Sequence, residues 1–83
     1  MKNDVEAEKC IIEACRSLTE IQTPLNSKTV PNKAIAIFSE KIAHNNASER
    51  IYNQINTMII NGKLKSSAID THTWCLSTCI NQN

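Results

Sequence analysis

Apolar residues recur at three- and four-residue spacing along almost the whole of this 83-residue chain, and that period commits it to helices. No alternating apolar run bounded by glycine is present to suggest strands. The first periodic stretch, residues 4–22, sets Ile11, Ala14, Cys15, Leu18 and Ile21 on one face and Glu6, Glu13, Arg16 and Glu20 in other directions. Asn3 or Asp4 is placed to accept hydrogen bonds from the free amides at the helix start, and the acidic first turn suits the helix dipole.

Residues 23–30, TPLNSKTV, have the composition of a turn. Pro31 then fits the first turn of a second helix, predicted over residues 31–44, with Ala34, Ile35, Ile37, Phe38 and Ile42 as its stripe. Asn45, Asn46 and Ser48 interrupt that stripe and offer caps. Ile51, Tyr52, Ile55, Met58 and Ile59 resume the period in a third helix over 48–61. Gly62, the only glycine, follows Asn61 where a left-handed cap is commonly needed. Beyond the basic link Lys63-Leu64-Lys65, the Ser67 and Asp70 pair resembles a capping box and predicts a fourth helix over 67–80. Ile69, Leu76 and Ile80 form its apolar line, with Cys75 and Cys79 beside it.

The expected fold is therefore all-α: one domain over residues 1–83, a compact bundle of about four short helices. A chain of this length supports a single core. Aromatic residues are limited to Phe38, Tyr52 and Trp74, so the interior must be built from isoleucine, leucine, alanine and cysteine. A core that thin gains from pairing with a second copy, and a homodimer through isoleucine-rich faces of helices 2 and 3 is the expected assembly.

The net charge of +1 argues against the strongly basic balance usual for nucleic-acid binding and equally against an acidic mimic of DNA. No apolar run approaches the roughly 20 residues that span a bilayer. The N-terminal MKNDVEAEKC lacks the apolar stretch of a signal peptide, so no membrane association and a cytoplasmic location are expected. In that compartment the four cysteines are thiols or metal ligands before they are disulfides.

The cysteines and His72 are the sharpest chemical feature. On one straight helix His72, Cys75 and Cys79 would share a face, yet the seven residues between His72 and Cys79 amount to about 10.5 Å of rise, too far for one zinc ion. A tetrahedral site would need Cys75 and Cys79 with Cys10 or Cys15, or with a symmetry-related pair. Cys10 and Cys15 point away from each other on a regular helix, and the spacing lacks the Cys-x-x-Cys knuckle of zinc modules. The expectation is no cofactor and no metal, with the thiols buried as small apolar residues. A disulfide between the terminal helices and a zinc-stabilised helical module are the alternatives. Cys75 with His72 is the sole local nucleophile and base, and it has no glycine-rich turn to build an oxyanion hole, so an enzyme is not expected.

Binding of a macromolecule is the reading that remains. Trp74 projects away from the apolar line of helix 4 and, as a residue type common at binding hot spots, is the first candidate for a partner contact. Capping the edge of the core is the competing role. Lys63, Lys65 and Tyr52 complete the candidate partner surface. Short helices joined by tight turns also permit a helix-turn-helix, with Lys63 and Lys65 on phosphates and Asn53, Gln54 and Asn56 on bases. Lys28, Lys33, Lys41, Arg50, Lys63 and Lys65 are equally well explained as a solvated surface.

Three pieces between Ile11 and Ile60 carry a resemblance: Leu25-Asn26-Ser27-Lys28, then Ala34-Ile35-Ala36-Ile37-Phe38-Ser39-Glu40, then Arg50-Ile51-Tyr52 leading to Met58-Ile59-Ile60. In this order they resemble the AriR/YmgB family of small enterobacterial regulators connected with biofilm formation and acid resistance. Pro31 stands where that family has ordinary helix formers, and the cysteine-bearing fourth segment extends past the family's usual end. The resemblance implies an all-helical homodimer akin to Hha-type regulators, working by protein contacts with DNA binding as a further property. The expected function is thus a small non-enzymatic regulator or adaptor that binds a protein partner. A phage or mobile-element inhibitor of a host defence or replication protein is the alternative from another class.

Overall fold

Asp4 caps the first helix: its Oδ1 accepts from the Ala7 amide at 3.2 Å. The computed structural model describes residues 3–66 and 74–76. Within them the helices are α1 (Val5–Glu20), α2 (Thr29–Lys41) and α3 (Ala47–Ile60), followed by the strands β1 (Leu64–Ser66) and β2 (Trp74–Leu76). The core is all-α. Ile11, Ala14, Cys15 and Leu18 of α1 meet Val30, Ala34 and Phe38 of α2 and Ile51, Ile55 and Met58 of α3.

Each helix boundary has a local cause. The chain leaves α1 through Gln22 at φ 58°, and the Thr23 amide donates to the Leu18 carbonyl at 2.8 Å while the Gln22 amide donates to Thr19 at 3.0 Å. Gly62, at φ 78°, ends α3 in the same way, with Lys63 donating to Met58 and Gly62 to Ile59. Both ends are paired 6→1 and 5→2 caps, which satisfy carbonyls that a helix terminus otherwise leaves open. At α2, Asn26 Oδ1 accepts from the Lys28 and Thr29 amides, and Thr29 Oγ1 accepts from the Asn26 amide at 3.0 Å. This reciprocal arrangement starts α2 two residues ahead of Pro31, which still falls in the first turn where no amide proton is required.

The fourth helix expected over 67–80 is not what forms at Trp74–Leu76. Those residues are extended and pair antiparallel with Leu64–Ser66, in the register Leu64 with Leu76, Lys65 with Cys75 and Ser66 with Trp74. The remainder of that predicted helix, including His72 and Cys79, lies outside the described residues. The capping-box signature at Ser67 and Asp70 is a local signal, and it competes with the turn at Gly62, which drives Leu64 into the core with no exposed surface. Lys63-Leu64-Lys65 is itself an alternating polar, apolar, polar run that fits a strand. Thr71, Thr73 and Trp74 are residue types that favour extended backbone. The helical face on which His72, Cys75 and Cys79 were expected to align is therefore absent at Cys75.

Candidate nucleic-acid interface

The sequence of α3 divides its side chains between two jobs. Ala47, Ile51, Ile55 and Met58 point into the core, which removes the isoleucines Ile51 and Ile55 from any dimer face. Arg50 and Gln54, on the flank turned to α1, enter a polar clamp. Ser48, Glu49, Tyr52, Asn53, Asn56, Ile59 and Ile60 remain exposed. Tyr52 and Ile59, expected on the buried stripe, are 46% and 41% exposed.

The clamp fastens the beginning of α1 along α3. Arg50 Nε and Nη2 donate to Asp4 Oδ2 and Oδ1 at 2.8 and 2.9 Å, a bidentate pair, and Nη2 reaches Glu6 Oε1 at 3.2 Å. The same guanidinium lies 4.7 Å above the Phe38 ring centroid, a cation–π contact that joins α2 to the clamp. The hydrogen bonds from Arg50 hold the Asp4 carboxyl below its usual range, against the opposing effect of partial burial. They hold Arg50 protonated beyond its already high value.

Gln54 is 1% exposed. Its Oε1 accepts from the Asp4 amide at 2.7 Å, and its Nε2 donates to Asn3 Oδ1 at 2.7 Å and to Glu8 Oε1 at 3.3 Å. Glu8 Oε1 also accepts from Lys63 Nζ at 3.1 Å. An open cavity of about 490 Å³ lies over the clamp, lined in part by Asn3, Val5, Glu6 and Asn53. Across α1 and α2 a wider groove of about 1030 Å³ is crossed by the Lys41–Glu13 ion pair at 2.8 Å. Glu13 raises the pKa of Lys41.

One side chain expected to read bases and one expected on the solvated surface are thus corrected. Gln54 is buried and hydrogen-bonded to α1, so it reads no base, and Arg50 is held by carboxylates and an aromatic ring rather than solvated. Asn53 and Asn56 are exposed as expected. Lys63 is exposed but paired with Glu8, and Lys28 and Lys33 enter no ion pair among the described residues. Lys65 and Trp74 lie on the two paired strands, Lys65 opposite Cys75 and Trp74 opposite Ser66. His44 lies beyond the end of α2 rather than in its last turn.

Cys10 and Cys15 are both buried in the helical core. Burial, followed by the Glu13 charge, pushes the Cys10 thiol up, away from the reactive thiolate. Among the described residues no three or more His, Cys, Asp or Glu side chains gather as a metal site, and no helix is long and apolar enough to cross a membrane. The clamp was not visible in the sequence. Only the four-residue step from Arg50 to Gln54 hinted that one flank of α3 was polar. Set against family models, characterised proteins and solved structures, the chain matches none.

Proposed function

We propose that this chain is a non-enzymatic regulator that binds duplex DNA through α3, in a helix-turn-helix flanked by a β-hairpin. The observation that carries the reading is the division of α3: one side is spent on the core and the clamp, and the other carries Ser48, Tyr52, Asn53 and Asn56 exposed to solvent. The order of elements supports it. α2 and α3 are joined by the short turn 42–46, α1 packs across both, and the hairpin follows α3 directly. In helix-turn-helix proteins the second helix of the pair enters the major groove, where its outward side chains meet base edges. Lys28 and Lys33 at the start of α2, with Lys63 and Lys65 entering the hairpin, bracket α3 along the chain with positive charge suited to phosphates.

The decisive measurement is duplex binding as a function of salt. With Lys63 held by Glu8, three lysine contacts correspond to a slope of log K against log salt of about −2.7. Lys33→Gln should reduce it by about one unit, while binding that is absent at low salt refutes the proposal. A second reading, an adaptor that contacts another copy of itself, is favoured by Ile59 and Ile60 at the end of α3, which are 41% and 67% exposed beside Tyr52. Sedimentation checks it. A monomer at high micromolar concentration removes the self-association.

A further inference from the structure

We infer that the exposed face of α3 selects adenine in A·T pairs, through Asn53 and Asn56. The inference rests on the DNA-binding reading above and goes beyond it to the chemistry of the site.

Guanine is most often read in the major groove by arginine or lysine, which donate two hydrogen bonds to O6 and N7. The α3 sequence, ASERIYNQINTMII, contains no lysine and a single arginine. That arginine is committed elsewhere: Arg50 makes two bonds to Asp4 and one to Glu6 and lies over Phe38. Releasing it to a base would open the clamp that fixes α1. The helix therefore presents no guanine-reading side chain to the groove.

What it does present are carboxamides. An asparagine side chain accepts from the adenine N6 amino group with its oxygen and donates to N7 with its nitrogen, a bidentate match that no other base offers. Asn53 and Asn56 are exposed and are one helical turn apart, so they fall along one stripe with spacing suited to neighbouring base pairs. Gln54, which offers the same chemistry, is withdrawn into the clamp and adds nothing. Tyr52 supplies an exposed ring on the same face, and an apolar surface there suits the thymine methyl group. Glu49, the one charged residue on that face, is an acceptor matched to the cytosine amino group and marks one neighbouring position as C.

The test is selection by the full chain from duplex DNA carrying a randomised central tract, followed by titration of the selected duplex with the wild type, Asn53→Ala and Asn56→Ala. Selected duplexes should be enriched in adenine at fixed positions. Changing a contacted A·T pair to G·C should weaken the wild type by about 5- to 150-fold. Each alanine variant should lose that discrimination at its own position while retaining the salt dependence of binding. Both side chains are exposed, so unchanged melting of the variants is expected and is measured alongside. Selected sites fixed as G·C at the positions that Asn53 and Asn56 contact, or discrimination unaltered in both variants, would overturn the inference and leave DNA binding standing. Failure to retain any duplex overturns the DNA-binding reading itself, and the inference with it.

Discussion

Replacing Gln54 by glutamate changes one amide nitrogen to oxygen and should nevertheless remove a large part of the stability of the domain. The Gln54 side chain is 1% exposed and uses both ends of its amide: the oxygen takes the Asp4 amide proton, and the nitrogen donates to Asn3 Oδ1 and Glu8 Oε1. A carboxylate there keeps the first bond and turns the other two into oxygen against oxygen, one of them anionic. A buried charge left without compensation costs about 3–5 kcal/mol. A domain of this size has roughly 4–12 kcal/mol in total. At about 4–8 °C of melting temperature per kcal/mol, the expected fall at pH 7 is roughly 12–40 °C.

The pH dependence separates this cause from a packing defect. Burial and the Glu8 charge both raise the folded-state pKa of the new carboxyl above its unfolded value of about 4.3. The penalty is therefore complete at pH values above the raised folded pKa and is relieved as pH falls toward about 4.3, because the folded state then takes up the proton first. Thermal melts of Gln54→Glu and wild type followed by circular dichroism from pH 8 to pH 4.5 should converge at the acid end. A variant that melts with the wild type at pH 7, or trails it equally at every pH, would refute the role assigned to Gln54.

The Asp4 charge has the opposite sign of dependence. Its folded pKa is lowered by Arg50, so it contributes stability above the usual carboxyl value of about 3.9 and loses it as pH falls through the depressed folded value. The melting gap between wild type and Asp4→Asn should be constant from pH 8 to about 5 and should close below about 4. Asp4→Ala, which also removes the cap on the Ala7 amide, should cost about 1 kcal/mol more than Asp4→Asn in urea unfolding. Gln22→Gly should stabilise by about 0.5–1 kcal/mol by relieving a left-handed side chain, whereas Gly62→Ala should destabilise by about 1 kcal/mol, both read by the same titration. Leu64→Ala should cost about 2–5 kcal/mol and raise hydrogen exchange in the β1 amides more than in α1, because Leu64 is the fully buried anchor of β1.

The three helices were legible because each carries its own boundary signals. Asp4 caps α1, Gly62 closes α3, and the stripe from Ile51 through Ile55 to Met58 specifies burial by period alone. α2 begins two residues ahead of Pro31, because the capping pair Asn26 and Thr29 sets its start earlier than the proline signal does. The strand at Trp74–Leu76 and the clamp were not legible, for a shared reason. Both depend on pairing between separate segments: Ser66 with Trp74 across consecutive strands, and Asp4 with Arg50, 46 residues apart. A helical pattern can be laid over almost any short apolar stretch, so the capping-box spacing at Ser67 and Asp70 had no competitor until Leu64 was placed in the core. The acidic first turn of α1 was read as dipole compensation. Its Glu6 and Glu8 also serve as acceptors for Arg50 and Lys63.

That second use of Glu8 sets a limit on DNA affinity. Lys63 follows α3 immediately, yet its ammonium is held by Glu8 Oε1 at 3.1 Å, so a phosphate contact must compete with a carboxylate that sits 17% exposed. Removing the charge but keeping the oxygen isolates this competition. Glu8→Gln retains an acceptor for Gln54 Nε2 and frees Lys63 for a phosphate. One further phosphate neutralised steepens the slope of log K against log salt by about 0.9, and binding at low salt should tighten accordingly. Fluorescence anisotropy with labelled duplex over a salt series measures both quantities for wild type and variant. If Glu8→Gln shifts neither the slope nor the low-salt affinity, Lys63 takes no part in holding DNA.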